Sequence, residues 1–386
     1  MCLEFLPSVR PVRFLSILAS PYKCICSGDK MLNRQYRTPF LLFANAFIPI
    51  LALALFGSPS KAEDMKTPTS AKAAAKPLFR DPVHDGAADP SLIWNRAEKK
   101  WMMFYTNRRA DLPSSDNKDV AWVHGTQIGI AESKDGGTTW TYAGIAKIPY
   151  GEPDYTFWAP DLVWDRGLYH MFVVVVPGVF HDWNAPREII HLTSKDLAVW
   201  KFESTLTLSS NRTIDPYILR LDDGSWRLWY KDEGDHSYIH YVNSPDLYQW
   251  TPGGVAINDR SSEGPIVFRW KGSVWMIVDV WAGLGVYRSS DAVHWTPQKE
   301  NLLAGVGLFP TDQSEGHHAD VAISKDRAFL FYFVQQGGKD MVSNHPESAN
   351  RSVFQVVELT EQAGELKADR NLPVFVSLDP AGDRYR

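Results

Sequence analysis

The chain has 386 residues, 44% apolar and 22% charged, a globular balance that excludes a disordered or collagen-like polypeptide. Its net charge of −5 argues against a nucleic-acid partner, and 3 cysteines exclude a disulfide-built scaffold. The 15 tryptophans, within an aromatic share of 13%, point to a stacked β core, a sugar-facing surface, or both.

In chain order, residues 1–62 do not read as part of the fold. From Met31 a basic stretch with Arg34 and Arg37 precedes an apolar run, Phe40 to Phe56, and then Ser60-Lys61-Ala62. This is the order of a secretory signal peptide: basic region, apolar region, small-residue cleavage site. The run is slightly long, so an uncleaved membrane anchor is the alternative. The polar stretch Glu63 to Pro77 favours cleavage. The expected product is periplasmic or extracellular, with no stable membrane insertion once the signal is removed. Residues 1–30 precede the signal, so translation is expected to start at Met31.

Setting residues 1–62 aside leaves 324 residues with 33 basic and 43 acidic side chains, net −10. Cys2, Cys24 and Cys26 go with them, and with them any thiol nucleophile or thiolate metal site. Residues 63–78 read as a linker and 79–386 as the folded domain.

One unit then recurs five times. An acidic residue opens a short apolar strand. A turn leads to a strand rich in Trp, Tyr and Phe, and a third strand ends, in the first four copies, in a Ser-x-Asp…Trp turn. The openings are Asp89-Pro-Ser-Leu-Ile-Trp94, Asp161-Leu-Val-Trp164, Asp215-Pro-Tyr-Ile-Leu219, Glu263-Gly-Pro-Ile-Val-Phe268 and Asp320-Val-Ala-Ile323. The aromatic strands include Trp101 to Tyr105, Trp226 to Tyr230 and Ala328 to Tyr332. Gaps of 48 to 72 residues between openings suit a four-stranded blade plus loops. Period-2 or continuous apolar runs, with no long helical period, predict an all-β chain. The predicted fold is a five-bladed β-propeller of four-stranded antiparallel blades. A β-sandwich, the runner-up, does not predict an acid at the same phase of every unit.

The turn Ser133-Lys-Asp135-Gly-Gly-Thr-Thr-Trp140 matches the Asp-box of sialidases. Ser and Asp cap tight turns and the Trp packs between blades, so these turns are read as structural.

The innermost strand of each propeller blade lines the central channel. The repeats are therefore expected to bring Asp89, Asp161, Asp215, Glu263 and Asp320 near one axis, where like charges shift one another's pKa values. Asp-Pro at a strand start can be turn chemistry alone, which accounts for one or two of the five. Carboxyl pairs across a cleft suit glycosidic bond hydrolysis: one protonates the leaving oxygen and the other activates water. A third carboxylate supplies the raised pKa that the acid needs.

Ala88-Asp89-Pro90-Ser91, Trp158-Ala-Pro-Asp161, Ile214-Asp215-Pro216, Ser262-Glu263-Gly264-Pro265 and Gly316-His317-His318 together resemble the five blade openings of glycoside hydrolase family 43. The resemblance runs from about Arg80 to Tyr332. It implies an inverting glycosidase acting on arabinofuranosides, xylosides and related plant-wall or algal oligo- or polysaccharides. It implies Asp89 as general base, Asp215 as the residue that tunes pKa and orients, and Glu263 as general acid. It also implies that His317 helps hold a central Ca²⁺ through water. Asp81-Pro82 precedes blade one as well, but Leu92-Ile93-Trp94 follow Asp89 as a strand should.

Trp158, Trp281, Arg108, Asp161 and His318 are the further candidates for substrate contact. The rings suit sugar stacking, although inter-blade packing explains most tryptophans here. Alternation sends only one of His317 and His318 toward the axis. Other readings on this fold are an anhydro-galactosidase, a galactofuranosidase and a non-catalytic carbohydrate-binding propeller. A family 32 fructosidase would need a Glu-Cys pair, which a mature chain without Cys lacks, and no arginine triad announces a sialidase.

Overall fold

The structure, a computed structural model, describes residues 72–112, 118–336 and 349–380. The predicted signal segment and residues 63–71 of the predicted linker lie outside the described residues.

Five four-stranded antiparallel sheets follow one another along the chain, each built from contiguous strands. Blade one is β1 (Ala87–Asn95), β2 (Lys100–Asn107), β3 (Gln127–Ser133) and β4 (Thr141–Ile145). Blade two is β5 (Thr156–Asp165), β6 (Leu168–Val176), β7 (Glu188–Ser194) and β8 (Trp200–Thr205). Blade three is β9 (Thr213–Arg220), β10 (Trp226–Asp232), β11 (Tyr238–Ser244) and β12 (Thr251–Ile257). Blade four is β13 (Glu263–Trp270), β14 (Ser273–Asp279), β15 (Leu284–Ser289) and β16 (Thr296–Pro297). Blade five is β17 (His317–Ser324), β18 (Arg327–Gln335), β19 (Ser352–Gln362) and β20 (Glu365–Ala368). The innermost strands close a ring: β1 packs on β5, β5 on β9, β9 on β13, β13 on β17, and β17 on β1. The chain is the predicted five-bladed β-propeller.

No single core fills the molecule. Apolar side chains pack in layers between neighbouring blades, as twisted sheets stacked face to face require. One layer joins blades one and two through Phe104, Met171 and Trp200. Another joins blades two and three through Phe172, Trp226 and Leu247. A third runs through blades three to five and includes Trp229, Trp275 and Tyr332. Most of the tryptophan excess is spent here.

The ring is closed without a shared strand. Residues before β1 cross onto blade five, where Leu78 N–H donates to the Phe354 carbonyl at 2.9 Å. Residues after β20 cross onto blade one, where Leu378 N–H donates to the Gly136 carbonyl at 2.8 Å. The Lys72–Leu78 end of the predicted linker is thus packed against the domain: Leu78 is buried, and Ala74 N–H reaches the Val374 carbonyl at 2.8 Å.

The Ser-x-Asp…Trp turns are structural. In blade two Asp196 Oδ1 accepts from Ala198 N–H and Val199 N–H, each at 2.9 Å, while Ser194 Oγ accepts from Leu197 N–H at 2.9 Å. Asp246 and Asp291 make the same pairs of bonds in blades three and four.

Candidate active site

Each innermost strand is broken by a bulge near its start. The pairing register skips between Ala88 and Ser91, between Trp158 and Asp161, between Ile214 and Tyr217, between Glu263 and Ile266, and between His317 and Ala319. In four blades the first bulged residue has a left-handed backbone: Asp89 at φ 53°, Ala159 at 43°, Asp215 at 57° and Gly264 at 54°. Proline follows each of these four residues, where the bulge asks for no ladder N–H. Asp tolerates this conformation better than most residues, and the bulge re-aims its carboxylate out of the sheet. At Gly264 only glycine fits, because a Cβ would sit 2.5 Å from His318 Cγ.

The two positions at the head of the bulge face a cavity of about 400 Å³ at the channel mouth. Asp89, Asp215 and His318 reach it from the bulge itself; Trp158, Ile214, Glu263 and His317 reach it from the residue before. The three predicted catalytic carboxylates therefore come together, from blades one, three and four. They are not in phase: Glu263 stands one residue earlier than Asp89 and Asp215, and its longer side chain enters from there.

Asp161 and Asp320 are not brought to the cavity, which corrects the expectation of five equivalent acids. Asp161 falls after the bulge and is 2% exposed. Its Oδ2 accepts from Ile218 N–H at 2.7 Å and its Oδ1 accepts from the Ser91 hydroxyl at 3.2 Å. Asp320 Oδ2 accepts from Leu92 N–H at 2.8 Å. Both carboxylates tie neighbouring innermost strands together, in place of the substrate contact expected of Asp161. Asp81 is likewise structural: its Oδ2 accepts from the Tyr105 hydroxyl at 2.5 Å.

Around the three acids the partners are specific. Asp89 Oδ1 lies 3.3 Å from Arg108 Nη2 and 3.5 Å from His318 Nδ1. Asp215 Oδ2 accepts from Gly264 N–H at 2.9 Å. Burial pushes its carboxyl up to about 7; Glu263 and Asp89 add to that, against the opposing charges of His318 and Lys231. Glu263 Oε2 accepts from Lys231 Nζ at 2.8 Å, and its Oε1 accepts from the Trp281 indole N–H at 3.0 Å. Burial would raise the Glu263 carboxyl, but Lys231, His318 and Arg108 outweigh it and hold it below the ordinary glutamate value. The two carboxyls are thus shifted in opposite directions, Asp215 up and Glu263 down.

Aromatic side chains shape the mouth. Trp281 is 46% exposed beside Glu263, and Trp183 is 51% exposed on the blade-two side. Trp158 is mostly buried; its indole N–H donates to the Val123 carbonyl at 2.6 Å, and the Arg187 guanidinium lies 5.6 Å from its ring centre. Arg108 stacks on Phe333 at 4.6 Å.

His317 faces the cavity, with Nδ1 3.0 Å from Asp279 Oδ2, and that carboxylate pushes the imidazole pKa up against the effect of burial. Asp279 also accepts from the backbone N–H groups of Trp281 at 2.8 Å and His318 at 3.1 Å. Among the described residues no group of three or more His, Cys, Asp and Glu side chains is placed to hold a metal ion. Calcium takes six to eight oxygen ligands. One ring and one occupied carboxylate do not fit that demand, and no step below is routed through a metal.

Sequence reasoning missed Lys231, Glu233, Asp279, Arg187, Trp122 and Trp183, all of which line the cavity. The first three share a signal. Antiparallel pairing sets the end of the second strand beside the start of the first, so Lys231 pairs with Ile214 and Asp279 with Glu263. A charged Lys231-Asp-Glu233 run at the end of β10 marks the same mouth. Trp122, Trp183 and Arg187 come from loops, whose course no local pattern fixes.

No protein-family model and no curated protein matches the sequence. Solved structures do. The chain is similar to a thermostable family-43 glycoside hydrolase, with 19% identity and a TM-score of 0.57 over 78% of this chain and 100% of that one. It is similar to a family-43 enzyme from Xanthomonas citri, with 15% identity and a TM-score of 0.55 over 73% of this chain and 90% of that one. It is also similar to a family-43 β-1,3-galactosidase solved with galactodeoxynojirimycin, with 13% identity and a TM-score of 0.57 over 78% and 100%. The chain has the fold of the family-43 glycoside hydrolases.

Proposed function

We propose that this protein is an exported, inverting glycoside hydrolase of the family-43 type. Asp89 takes the proton of the attacking water, Glu263 protonates the leaving oxygen, and Asp215 tunes and orients. The observation that carries the reading is convergence: three blades each deliver one carboxylate to one cavity, and an exposed indole stands 3.0 Å from Glu263. Arg108 Nη2 at 3.3 Å and His318 Nδ1 at 3.5 Å hold the Asp89 carboxylate in place for the base role. In the cycle, water attacks the anomeric carbon as the bond to the leaving oxygen breaks. The water's proton passes to Asp89, and the Glu263 proton passes to the departing oxygen.

For the substrate we propose a xyloside or arabinofuranoside. The support is the likeness to a Xanthomonas citri enzyme solved with xylose and with xylotriose, and to a metagenomic β-xylosidase/α-arabinofuranosidase solved with xylotriose. A galactoside is the second reading, supported by the equally high similarity to the β-1,3-galactosidase. Hydrolysis of aryl xyloside, arabinofuranoside, galactoside and galactofuranoside, with NMR of the first anomer released, tests both. Release of an inverted sugar from one of the first two is expected. Retention overturns the mechanism, and oligosaccharide binding without release from any of them makes the protein a binding propeller.

A further inference from the structure

Glu263 is held at both oxygens by donors. Lys231 Nζ occupies Oε2 and the Trp281 indole occupies Oε1. A glutamic acid ready to protonate a leaving group must carry an O–H, and an ammonium in contact with Oε2 favours the ionised form over it. Withdrawal of that contact favours the acid.

Of the two donors, Trp281 is the less able to withdraw. Its backbone is left-handed, at φ 55°, and its N–H is anchored on Asp279. Lys231 has somewhere to go. A second carboxylate oxygen, Glu233 Oε1, lies 3.3 Å from the same Nζ. Glu233 is itself fixed by Arg187 at 3.0 Å and Arg212 at 3.4 Å, so it stays in place as an alternative anchor. The lysine side chain is only 5% exposed, which leaves carboxylates as its main partners.

We propose that Lys231 is a positioning residue shared between Glu263 and Glu233, and that its transfer to Glu233 frees Glu263 to hold the proton it donates. The inference rests on Glu263 being the acid of the proposed reaction. It involves one proton, taken up by Glu263 from water when Lys231 moves away and given to the leaving oxygen in the chemical step. The other charged groups around Glu263 are Asp215 from β9, His318 from β17, Arg108 after β2 and Asp89 from β1, with Asp279 opposite it on β14. Lys231 is the charge that lies between Glu263 and a second carboxylate, at 2.8 Å and 3.3 Å. The depressed Glu263 carboxyl is consistent with the lysine's resting position.

The test compares the pH dependence of kcat/KM for wild type, Lys231→Met, Lys231→Arg and Glu233→Gln on the aryl glycoside that the wild type cleaves best. Loss of the protonated acid sets the alkaline limb. Lys231→Met is expected to move that limb up by about one unit or more, the effect of removing a contacting opposite charge. Glu233→Gln is expected to move it down, because the lysine then stays on Glu263. Lys231→Arg is expected to stay near the wild-type limb. An unmoved limb in Lys231→Met, or a shift of the same sign in both neutral variants, overturns the proposal.

A readout without catalysis separates this from the wider reading. Carboxyl ¹³C NMR, with Glu263 assigned by its loss in Glu263→Gln, follows the titration directly. Opposite shifts of that signal in Lys231→Met and Glu233→Gln support the shared lysine even if no glycoside is cleaved. Cleavage with an unshifted signal leaves the glycosidase and removes the lysine's role. If Lys231→Met does not fold, Glu233→Gln carries the same test, and an unmoved signal there overturns the proposal.

Discussion

Asp215 Oδ2 accepts the backbone N–H of Gly264 at 2.9 Å, so the blade-three carboxylate is fastened to the residue next to Glu263. The bond leaves Oδ1 to carry the proton that burial favours. The two acids are thereby held in one unit across a blade boundary, with the Asp215 carboxyl shifted up and the Glu263 carboxyl shifted down.

That arrangement makes stability depend on pH. The Asp215 carboxyl is raised from 3.8 to about 7 in the folded protein. Its stabilising contribution is fully present below the unfolded value and is lost as pH rises through about 7. Asp215→Asn cannot ionise and escapes this loss. The melting temperature of Asp215→Asn minus that of wild type is expected to become more positive between pH 4.5 and pH 8. Thermal denaturation at several pH values checks it, and a flat difference would contradict the burial argument.

Removing either proton-transfer group should cost activity while leaving the fold intact. Glu263→Gln and Asp89→Asn are each expected to slow hydrolysis of natural glycosides by about 10²–10⁴-fold. Glu263→Gln should lose less on aryl glycosides whose leaving group needs no proton. Steady-state rates on both substrate types, with circular dichroism as the control for folding, distinguish the acid from the base. Full activity in Glu263→Gln would sink the assignment.

Gly264→Ala should damage both stability and catalysis. The left-handed backbone costs about 1–2 kcal/mol with a side chain present. The added Cβ also meets the His318 ring at 2.5 Å, so the imidazole beside Asp89 must shift. A lower melting temperature and a reduced kcat/KM are expected together. An unchanged melting temperature would mean that the bulge is not constrained as described.

Asp161→Ala should act on stability alone. It strands the buried Ile218 N–H and removes a partner of Ser91, at about 1–3 kcal/mol for the unsatisfied donor. Thermal denaturation should show the loss, and KM of the folded enzyme should stay as in wild type. A raised KM with an unchanged melting temperature would restore Asp161 to the substrate-contacting set.

Trp183 stands half exposed on the blade-two side of the cavity. Trp183→Ala is expected to raise KM for oligosaccharides more than for aryl monoglycosides, since only a longer substrate reaches that ring. Equal effects on both would place Trp183 in the first sugar site.

The repeat was legible because it is a local pattern. Alternating apolar residues, an aromatic second strand and a capped Ser-x-Asp…Trp turn recur with blade spacing, and each is set by short-range backbone and capping chemistry. Five blades with five acidic openings follow from counting those units, and the resemblance to family 43 implied which three, Asp89, Asp215 and Glu263, carry the chemistry. The phase of the acids did not follow from the count. A bulge moves the facing side by one residue, so Asp161 and Asp320, acidic at nearly the same place in their units, point into the wall as inter-blade ties.

What the sequence alone determined is therefore the architecture, because period-2 patterning and turn residues dictate strands and their order. What only the tertiary structure decided is which acids converge on the cavity and the electrostatic setting of each. Lys231 and Glu263 are 32 residues apart, and Asp215 and Gly264 are 49 apart. Contacts between blades bring them within hydrogen-bond reach. Burial together with those partners, and no local property of an aspartate or a glutamate, shifts the two carboxyls in opposite directions.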